Sequence, residues 1–159
     1  MYEDNFMPRY DIGQDWDISK ERGLHWEPAL EADINSEARV QHPFHLISDH
    51  MRTRTHSQWW DVDFLKEFEK EPIVRLSPVD ADSLGIGEGD KVKVFNDRGH
   101  VVMRATINNG LPQGIVTSPR SFQAQEFEDG HFASLSTNQF NPVCSNQAFN
   151  DVAVAIEKV

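Results

Sequence analysis

A chain of 159 residues that is 38% hydrophobic and 10% aromatic has enough apolar material for one domain with a single core. Its net charge of −11 argues against a nucleic acid or an anionic membrane as a partner. No apolar run approaches the roughly 18 residues of a membrane-inserted helix. The single cysteine, Cys144, excludes an internal disulfide and a cysteine-based zinc or iron–sulfur site.

The charge is distributed unevenly along the chain. Residues 1–49 carry a formal charge of −7, and residues 61–159 carry −6. The short segment between them contains Arg52 and Arg54 and no acid, which gives it a charge of +2. This cationic, histidine-containing segment is either a solvated turn paired with nearby acids or a local anion site such as a phosphate cradle.

Residues 1–41 show little periodicity and contain several Pro and Gly residues, so we interpret them as an irregular, extended lead-in with a short helical turn. The acidic N-terminus, interrupted by Pro8, is not typical of a secretory signal, and this leaves the cellular compartment open. Three large apolar side chains in this polar stretch pack either into this domain's core or against a neighbouring domain. They are Phe6, Trp16 and Trp26.

From residue 43 onward the sequence predicts short strands, tight turns and few helices. Val92 and Val94 alternate with polar residues, which places them on the buried face of a strand. Many short strands joined by turns indicate a β-barrel or a sandwich and not a parallel α/β sheet. The predicted elements are strands over residues 44–48, 73–76, 91–95, 101–107, 115–117 and 151–159, a helix over 61–70 ended by Pro72, turns over 96–99 and 111–114, and a polar loop over 130–149.

A second, short helix is predicted to begin after Ser77. Ser77 is a typical N-cap, Pro78 suits the first helical position, and Asp80 completes a pair that resembles a capping box. Gly85 is predicted to cap the C-terminal end of the helix. The glycine run 85–89 therefore follows a helix and precedes a strand, the reverse of a dinucleotide-binding glycine loop, and we interpret it as a simple turn.

Metal and nucleophile sites are not favoured by the sequence. Four histidines occur close together, but no carboxylate or cysteine lies at ligand spacing to complete a metal site. Cys144 lies in a polar loop with no histidine near it in sequence, so we interpret it as a passive thiol. The four histidines are His42, His45, His50 and His56.

The densest cluster of polar residues follows the first predicted strand. Guanidinium forks, hydroxyls and amides bind phosphate and form hydrogen bonds with a heterocycle. No carboxylate lies close in sequence to orient either histidine as a general base, so no catalytic residue is predicted. The alternative is a capped loop that satisfies its own backbone. The cluster consists of Ser48, His50, Arg52, Arg54, His56, Ser57 and Gln58.

Four segments resemble, in order, the C-terminal molybdopterin-dinucleotide-binding domain of oxidoreductases of the dimethyl-sulfoxide-reductase superfamily. Residues 42–59 resemble the opening strand and its Ser-x-His-x-Arg-x-Arg-x-His-Ser-Gln loop. Residues 77–107 are similar to the family's helix, Gly-Asp turn and Asn-x-Arg-Gly hairpin. Residues 111–122 and 137–158 resemble the next strand and the closing loop with its final strand.

The resemblance implies a mainly β fold, a six-stranded double-psi β-barrel of the aspartate-decarboxylase-like type with short helices. It places the barrel domain at residues 42–159 and makes residues 1–41 a linker-like extension. The implied cofactor is bis-molybdopterin guanine dinucleotide, with molybdenum or tungsten, shared with domains outside this chain that contain the metal and iron–sulfur ligands. The implied partners are those remaining domains of the parent oxidoreductase and an iron–sulfur electron-transfer subunit.

The resemblance also assigns residues to the cofactor. It places the polar cluster at the pterin and phosphates, a pair of residues after the fifth strand near the cofactor, and two residues of the closing loop beside the second nucleotide. Two departures occur: Ala133–Ser136 replaces an Asn-x-Leu-Thr element, which makes Asn138 the candidate amide, and Arg120–Phe122 replaces a frequent glycine–aromatic pair. The cofactor-binding residues so predicted are Ser48, His50, Arg52, Arg54, His56, Ser57, Gln58, Phe122, Gln123, Asn138, Gln147 and Phe149.

Three functions remain open from the sequence. The first is a cofactor-binding module that acts by positioning and electrostatics while the metal carries out the chemistry. The second is a protein-interaction module, which predicts an exposed apolar patch and no use for the histidine–arginine loop. The third is a separately encoded small barrel subunit.

Overall fold

Six strands close into a barrel in the computed structural model, which describes residues 26, 28–139 and 146–159. The strands are β1 (Phe44–Asp49), β2 (Ile73–Leu76), β3 (Lys91–Asn96), β4 (Gly99–Ile107), β5 (Ile115–Pro119) and β6 (Ala153–Lys158). The helices are α1 (Ala38–Gln41), α2 (Asp63–Lys66) and α3 (Pro78–Leu84), with 3-10 turns at Ala124–Glu126 and Phe132–Leu135. Within the described residues, no helix has the length and apolar character to span a membrane.

The strand order around the barrel is β1-β5-β2-β4-β3-β6, and β6 pairs with β1 to close it. Two pairs are parallel, β1 with β5 and β2 with β4, and the remaining pairs are antiparallel. The connections from β1 to β2 and from β2 to β3 each pass over one intervening strand. This arrangement confirms the predicted six-stranded double-psi β-barrel, a mainly β fold with short helices.

Alternation along each strand fills the barrel interior. Val92 and Val94 on β3 are fully buried, as predicted, and the intervening residues are only partly buried. The same period occurs on β4, where Val101, Met103 and Ala105 face the core. Because inward and outward side chains alternate on every strand of a barrel, one apolar set is sufficient for a packed core. Other buried core residues are Leu46, Val74, Leu76, Val116, Leu135, Val152, Val154 and Ile156.

The caps of α3 confirm the predicted helix. The Ser77 side chain accepts a hydrogen bond from the Asp80 backbone N–H, and Gly85 ends the helix in the left-handed conformation with φ of 66°. Asp80 is itself buried, and its carboxylate also accepts a hydrogen bond from the backbone N–H of Gly114 at 2.9 Å. The helix start is therefore fixed to the turn that precedes β5.

The predicted helix over residues 61–70 is wrong in its length. Only Asp63–Lys66 is helical, and both Phe64 and Phe68 are about two-thirds exposed. A helix of this length is marginal without an apolar face packed against the core, and these phenylalanines contact each other edge to face and not the barrel interior.

The lead-in is attached to the barrel by two carboxylates. Asp151 accepts hydrogen bonds from three consecutive backbone N–H groups, those of residues 30–32, at 2.8–2.9 Å. Glu31 binds both terminal nitrogens of Arg98 at 2.6 and 2.9 Å and accepts from the Ala153 N–H. Trp26 is exposed and does not pack into this core, whereas Phe6 and Trp16 lie outside the described residues.

We expect the Asp151 carboxylate to hold this attachment. Replacing it, in Asp151→Ala, removes the acceptor of three N–H groups, and we expect faster hydrogen exchange at residues 30–32 and a loss of about 1.5–3 kcal/mol of unfolding free energy. Asp82→Ala, at an exposed aspartate of α3, is the control and should change neither quantity. Unchanged exchange at residues 30–32 in Asp151→Ala would contradict the role of this carboxylate.

Candidate functional site

The candidate site lies where β1 and β5 end side by side. These parallel strands are in register, with Ser48 opposite Ser118 and Asp49 opposite Pro119. Since parallel strands end at the same edge, the chain segments that follow them emerge next to each other. The Arg120 N–H donates to the Asp49 carbonyl, which extends this pairing by one hydrogen bond.

A cavity of about 320 Å³ opens between these segments, the 3-10 turn at 132–135 and Phe149. Its walls are largely aromatic, and its polar groups come from hydroxyls, imidazoles and one guanidinium. Pockets that combine apolar walls with a few convergent polar groups are typical of ligand sites. The lining residues are Ser48, His56, Arg120, Phe122, His131, Phe132, Ala133, Ser136 and Phe149.

Arg120 and His56 line one side of the cavity, and His50 lies against Arg120. A terminal nitrogen of Arg120 lies within hydrogen-bond distance of His50 Nε2, and because a guanidinium only donates, this imidazole nitrogen is the acceptor. The rings of His50 and His56 meet edge to face with centroids 5.3 Å apart. His56 has a φ of 53°, so the loop makes a left-handed turn to place this ring.

Arg54 is buried behind Phe122 and does not itself line the cavity. Its side chain is only 1% exposed, and its two terminal nitrogens each lie 2.9 Å from one carboxylate oxygen of Glu126. The guanidinium also stacks 4.8 Å above the ring of Phe122. Glu126 in turn accepts from the Gln123 N–H at 2.7 Å. The ion pair therefore joins the loop after β1 to the segment after β5 and neutralises the charge of Arg54.

The other predicted residues divide into three groups. Ser48, Phe122 and Phe149 line the cavity together with His56, and His50 touches its arginine. Gln123 stands at the start of a 3-10 turn, where its backbone is engaged by Glu126. The structure leaves the remaining predicted side chains exposed and outside the lining; they are Arg52, Ser57, Gln58, Asn138 and Gln147.

Six residues of the site were not among the predicted cofactor-binding residues. Asn150 fixes the edge of the cavity, and the other five line it; they are Arg120, His131, Phe132, Ala133 and Ser136. The side-chain oxygen of Asn150 accepts from both the N–H and the hydroxyl of Ser48, at 2.9 and 2.8 Å. The only sequence signals were the departures from the family pattern at Arg120 and at Ala133–Ser136, because the partners of His131 and Asn150 are far away in the chain.

A hydrogen-bonded pair, His100 and Asp129, anchors the segment that precedes His131. The His100 imidazole, 2.9 Å from the Asp129 carboxylate, lowers the pKa of that carboxyl by a hydrogen bond and by its charge. The His131 N–H then donates to the carbonyl of His100. Asp129 and His100 do not line the cavity. They hold the start of the segment that leads into the 3-10 turn at 132–135, which borders the cavity.

The site offers donors and aromatic faces, which suits the binding of an anionic heterocycle. Among the residues that the structure describes, no group of three or more histidines, cysteines or acids could hold a metal ion. Of the four histidines considered, His42 is buried near Asp97, and His45 contacts the backbone carbonyl of Asn150. Cys144 lies outside the described residues.

Comparison with known proteins matches residues 44–153 to the family model described as "Molydopterin dinucleotide binding domain". A Halobacterium salinarum protein, provisionally named as the catalytic subunit of a dimethyl sulfoxide reductase, is 36% identical over 118 residues, which are 74% of this chain and 14% of that protein. Dimethyl sulfoxide reductase DmsA of Escherichia coli is 31% identical over 124 residues, 75% of this chain and 15% of that protein.

Acetylene hydratase from Pelobacter acetylenicus has the same fold, with a TM-score of 0.74 at 18% identity over 85% of this chain and 21% of that one. The chain spans about one seventh of the length of the two reductases, which are larger catalytic subunits. Because the family model covers more than two thirds of the sequence, this chain belongs to the molybdopterin dinucleotide-binding domain family of the dimethyl-sulfoxide-reductase-type molybdoenzymes.

Proposed function

We propose that this domain holds bis-molybdopterin guanine dinucleotide, with molybdenum or tungsten, as the C-terminal part of a larger oxidoreductase. The family match and the reductases among its relatives support the molybdopterin cofactor. The guanine nucleotide and the identity of the metal are further parts of this proposal. The division into a linker, residues 1–41, and a binding domain, residues 42–159, also remains a proposal.

The observation that carries the proposal is the cavity at the ends of β1 and β5. Phe132 and Phe149 provide aromatic surface for a heterocycle, and the buried Phe122 forms part of the cavity wall. The Arg120 guanidinium belongs to the lining, and its buried Nε, like the Nε of Arg54, has no hydrogen-bond partner among the described residues. The residues present therefore fit a nucleotide portion of the cofactor.

The domain would act by binding and orientation. When bound, the cofactor supplies two-electron redox chemistry at its metal, which we place on domains outside this chain together with the metal's protein ligand. Ser48, held by Asn150, keeps the strand end in place beneath the ligand. We propose that the exposed residues of the loop after β1, Arg52, Ser57 and Gln58, contact the part of the cofactor that extends beyond the cavity.

A second function as a contact surface is supported by the segment at 59–68. Trp59, Phe64 and Phe68 are 56–65% exposed, and an interaction module is expected to expose such an apolar patch. We propose that this surface faces the remaining domains of the parent oxidoreductase, in addition to cofactor binding. An iron–sulfur electron-transfer subunit is the further partner that we propose for the assembled enzyme.

Titration of the ¹⁵N-labelled chain with GDP tests the cofactor role. We expect amide shifts confined to the cavity segments, tighter binding of GDP than of CDP, and about fivefold or greater weakening in Phe149→Ala, because one aromatic stacking face is lost. Val79→Ala, an apolar truncation of similar exposure on α3, is the control. Equal binding of GDP and CDP would contradict the guanine form, and no binding of either would contradict the proposed function.

A further inference from the structure

We propose that Arg120 is the residue that binds the phosphate groups of a nucleoside diphosphate in the cavity. The inference rests on the proposed function and deepens it, because it assigns the anion-binding role to a residue outside the predicted Ser-x-His-x-Arg-x-Arg-x-His loop. Three arginines are candidates on the two segments that meet here, Arg52, Arg54 and Arg120.

Arg54 is not available to an anion. Its guanidinium is buried and paired with Glu126, with one hydrogen bond from Nη1 and with Nη2 2.9 Å from the second oxygen, and Phe122 covers one of its faces. A phosphate could reach it only after that ion pair opened. Arg52 is exposed to solvent and does not line the cavity. An exposed side chain on a long stem interacts only weakly with an anion, since water and salt screen its charge.

Arg120 has the position and the unused donors that an anion requires. It directly follows β5, and its backbone is bound to the Asp49 carbonyl, so its side chain starts from a fixed strand end. One terminal nitrogen of the guanidinium is placed by His50. The buried Nε–H has no partner in the described part of the chain. A guanidinium binds phosphate through two parallel N–H groups, and this group still has donors to offer.

The charges around Arg120 favour an anion. The lining contains this arginine and the two histidines His56 and His131, and no acid. Two carboxylates on the adjoining segments pair with other arginines, Asp49 through its Oδ2 with Arg75 and Glu126 with Arg54, whereas Asp49 Oδ1 is buried without a partner among the described residues. In a chain of net charge −11, the cavity is thus a local region without negative side chains, as a phosphate-bearing ligand needs.

The aromatic walls narrow the class of anion. Phe122 lies two residues after Arg120, and Phe149 lies across the same cavity. Inorganic sulfate or phosphate would use the guanidinium alone, whereas a nucleoside diphosphate uses the guanidinium and a ring face together. We therefore assign the cavity to the diphosphate and one adjoining ring of the ligand.

Calorimetry tests this assignment by titrating pyrophosphate, guanosine and GDP into the wild type and three variants. The variants are Arg120→Gln, Arg120→Lys and the control Arg104→Gln, which removes an arginine of β4 that pairs with Glu71 outside the cavity. We expect Arg120→Gln to weaken pyrophosphate and GDP about tenfold or more, and Arg120→Lys to recover only part of the loss, because the fork is missing. Guanosine binding should remain unchanged in every variant.

Two further results separate a binding role from a structural one. Arg120→Gln should unfold at the same or a higher denaturant concentration than wild type, because it removes a partly buried charge without an acidic partner among the described residues. The Arg120 Nε–H resonance should shift on addition of pyrophosphate. Equal GDP affinity in Arg120→Gln and Arg104→Gln overturns this assignment and leaves the proposed function standing. If the wild type binds none of the three ligands, both the Arg120 assignment and the proposed function are overturned.

Discussion

Replacing Glu126 by alanine is expected to lower the free energy of unfolding by about 3–5 kcal/mol, because it leaves the buried Arg54 without its counter-charge. Arg54 is 4% exposed, and both of its terminal nitrogens lie against the Glu126 carboxylate. Denaturant unfolding followed by tryptophan fluorescence and circular dichroism measures the change, with coincident transitions as the check on two-state behaviour.

Two controls separate burial from charge in this experiment. Glu157→Ala breaks the Lys93–Glu157 pair, whose side chains are 37% and 53% exposed, and should cost no more than about 1 kcal/mol. The double variant Arg54→Met/Glu126→Leu removes both charges together and should recover most of the lost stability. A cost below about 1 kcal/mol for Glu126→Ala would show that the pair is solvated and does not join the two loops.

The same ion pair shows which features of the site were predictable. Strand alternation and helix caps are local signals, so the buried positions of Val92 and Val94 and the caps at Ser77 and Gly85 followed directly from neighbouring residues. The double-psi connectivity did not follow from local signals, because it pairs β1 with β5 and β2 with β4 across long stretches of chain. The resemblance to a known family supplied it.

Side-chain direction in the loop after β1 was not predictable from the sequence. Arg52 and Arg54 look equivalent in the motif, but one is exposed and the other is buried because Glu126, 72 residues away, supplies its partner. The helix predicted over 61–70 failed for a related reason. Its apolar spacing was real, but other residues, mostly of the strands, form the core, and Phe64 and Phe68 remain about two-thirds exposed.

Gly130→Ala is the second substitution with a large expected effect, a loss of about 3 kcal/mol or more of unfolding free energy. Gly130 has a φ of 73°, and a Cβ atom there would lie 2.1 Å from the carbonyl oxygen of His100. That oxygen also accepts from the His131 N–H, and residue 130 forms a β-bridge with Val101. The added methyl group must therefore separate the His131 segment from β4.

Gly85→Ala separates this contact from the cost of backbone conformation alone. Gly85 has a similar φ of 66°, but a Cβ atom there meets nothing within 4 Å, so the substitution should cost only about 1–2 kcal/mol. Urea unfolding of both variants measures the difference, and the chemical shifts of His131 and Phe132 report whether the cavity wall moves. If the two substitutions lower the unfolding free energy equally, backbone strain at positive φ explains both. The close approach of residue 130 to β4 then does not hold the cavity wall at His131 and Phe132. A larger cost for Gly130→Ala, with shifts at His131, would show that this approach shapes the binding cavity.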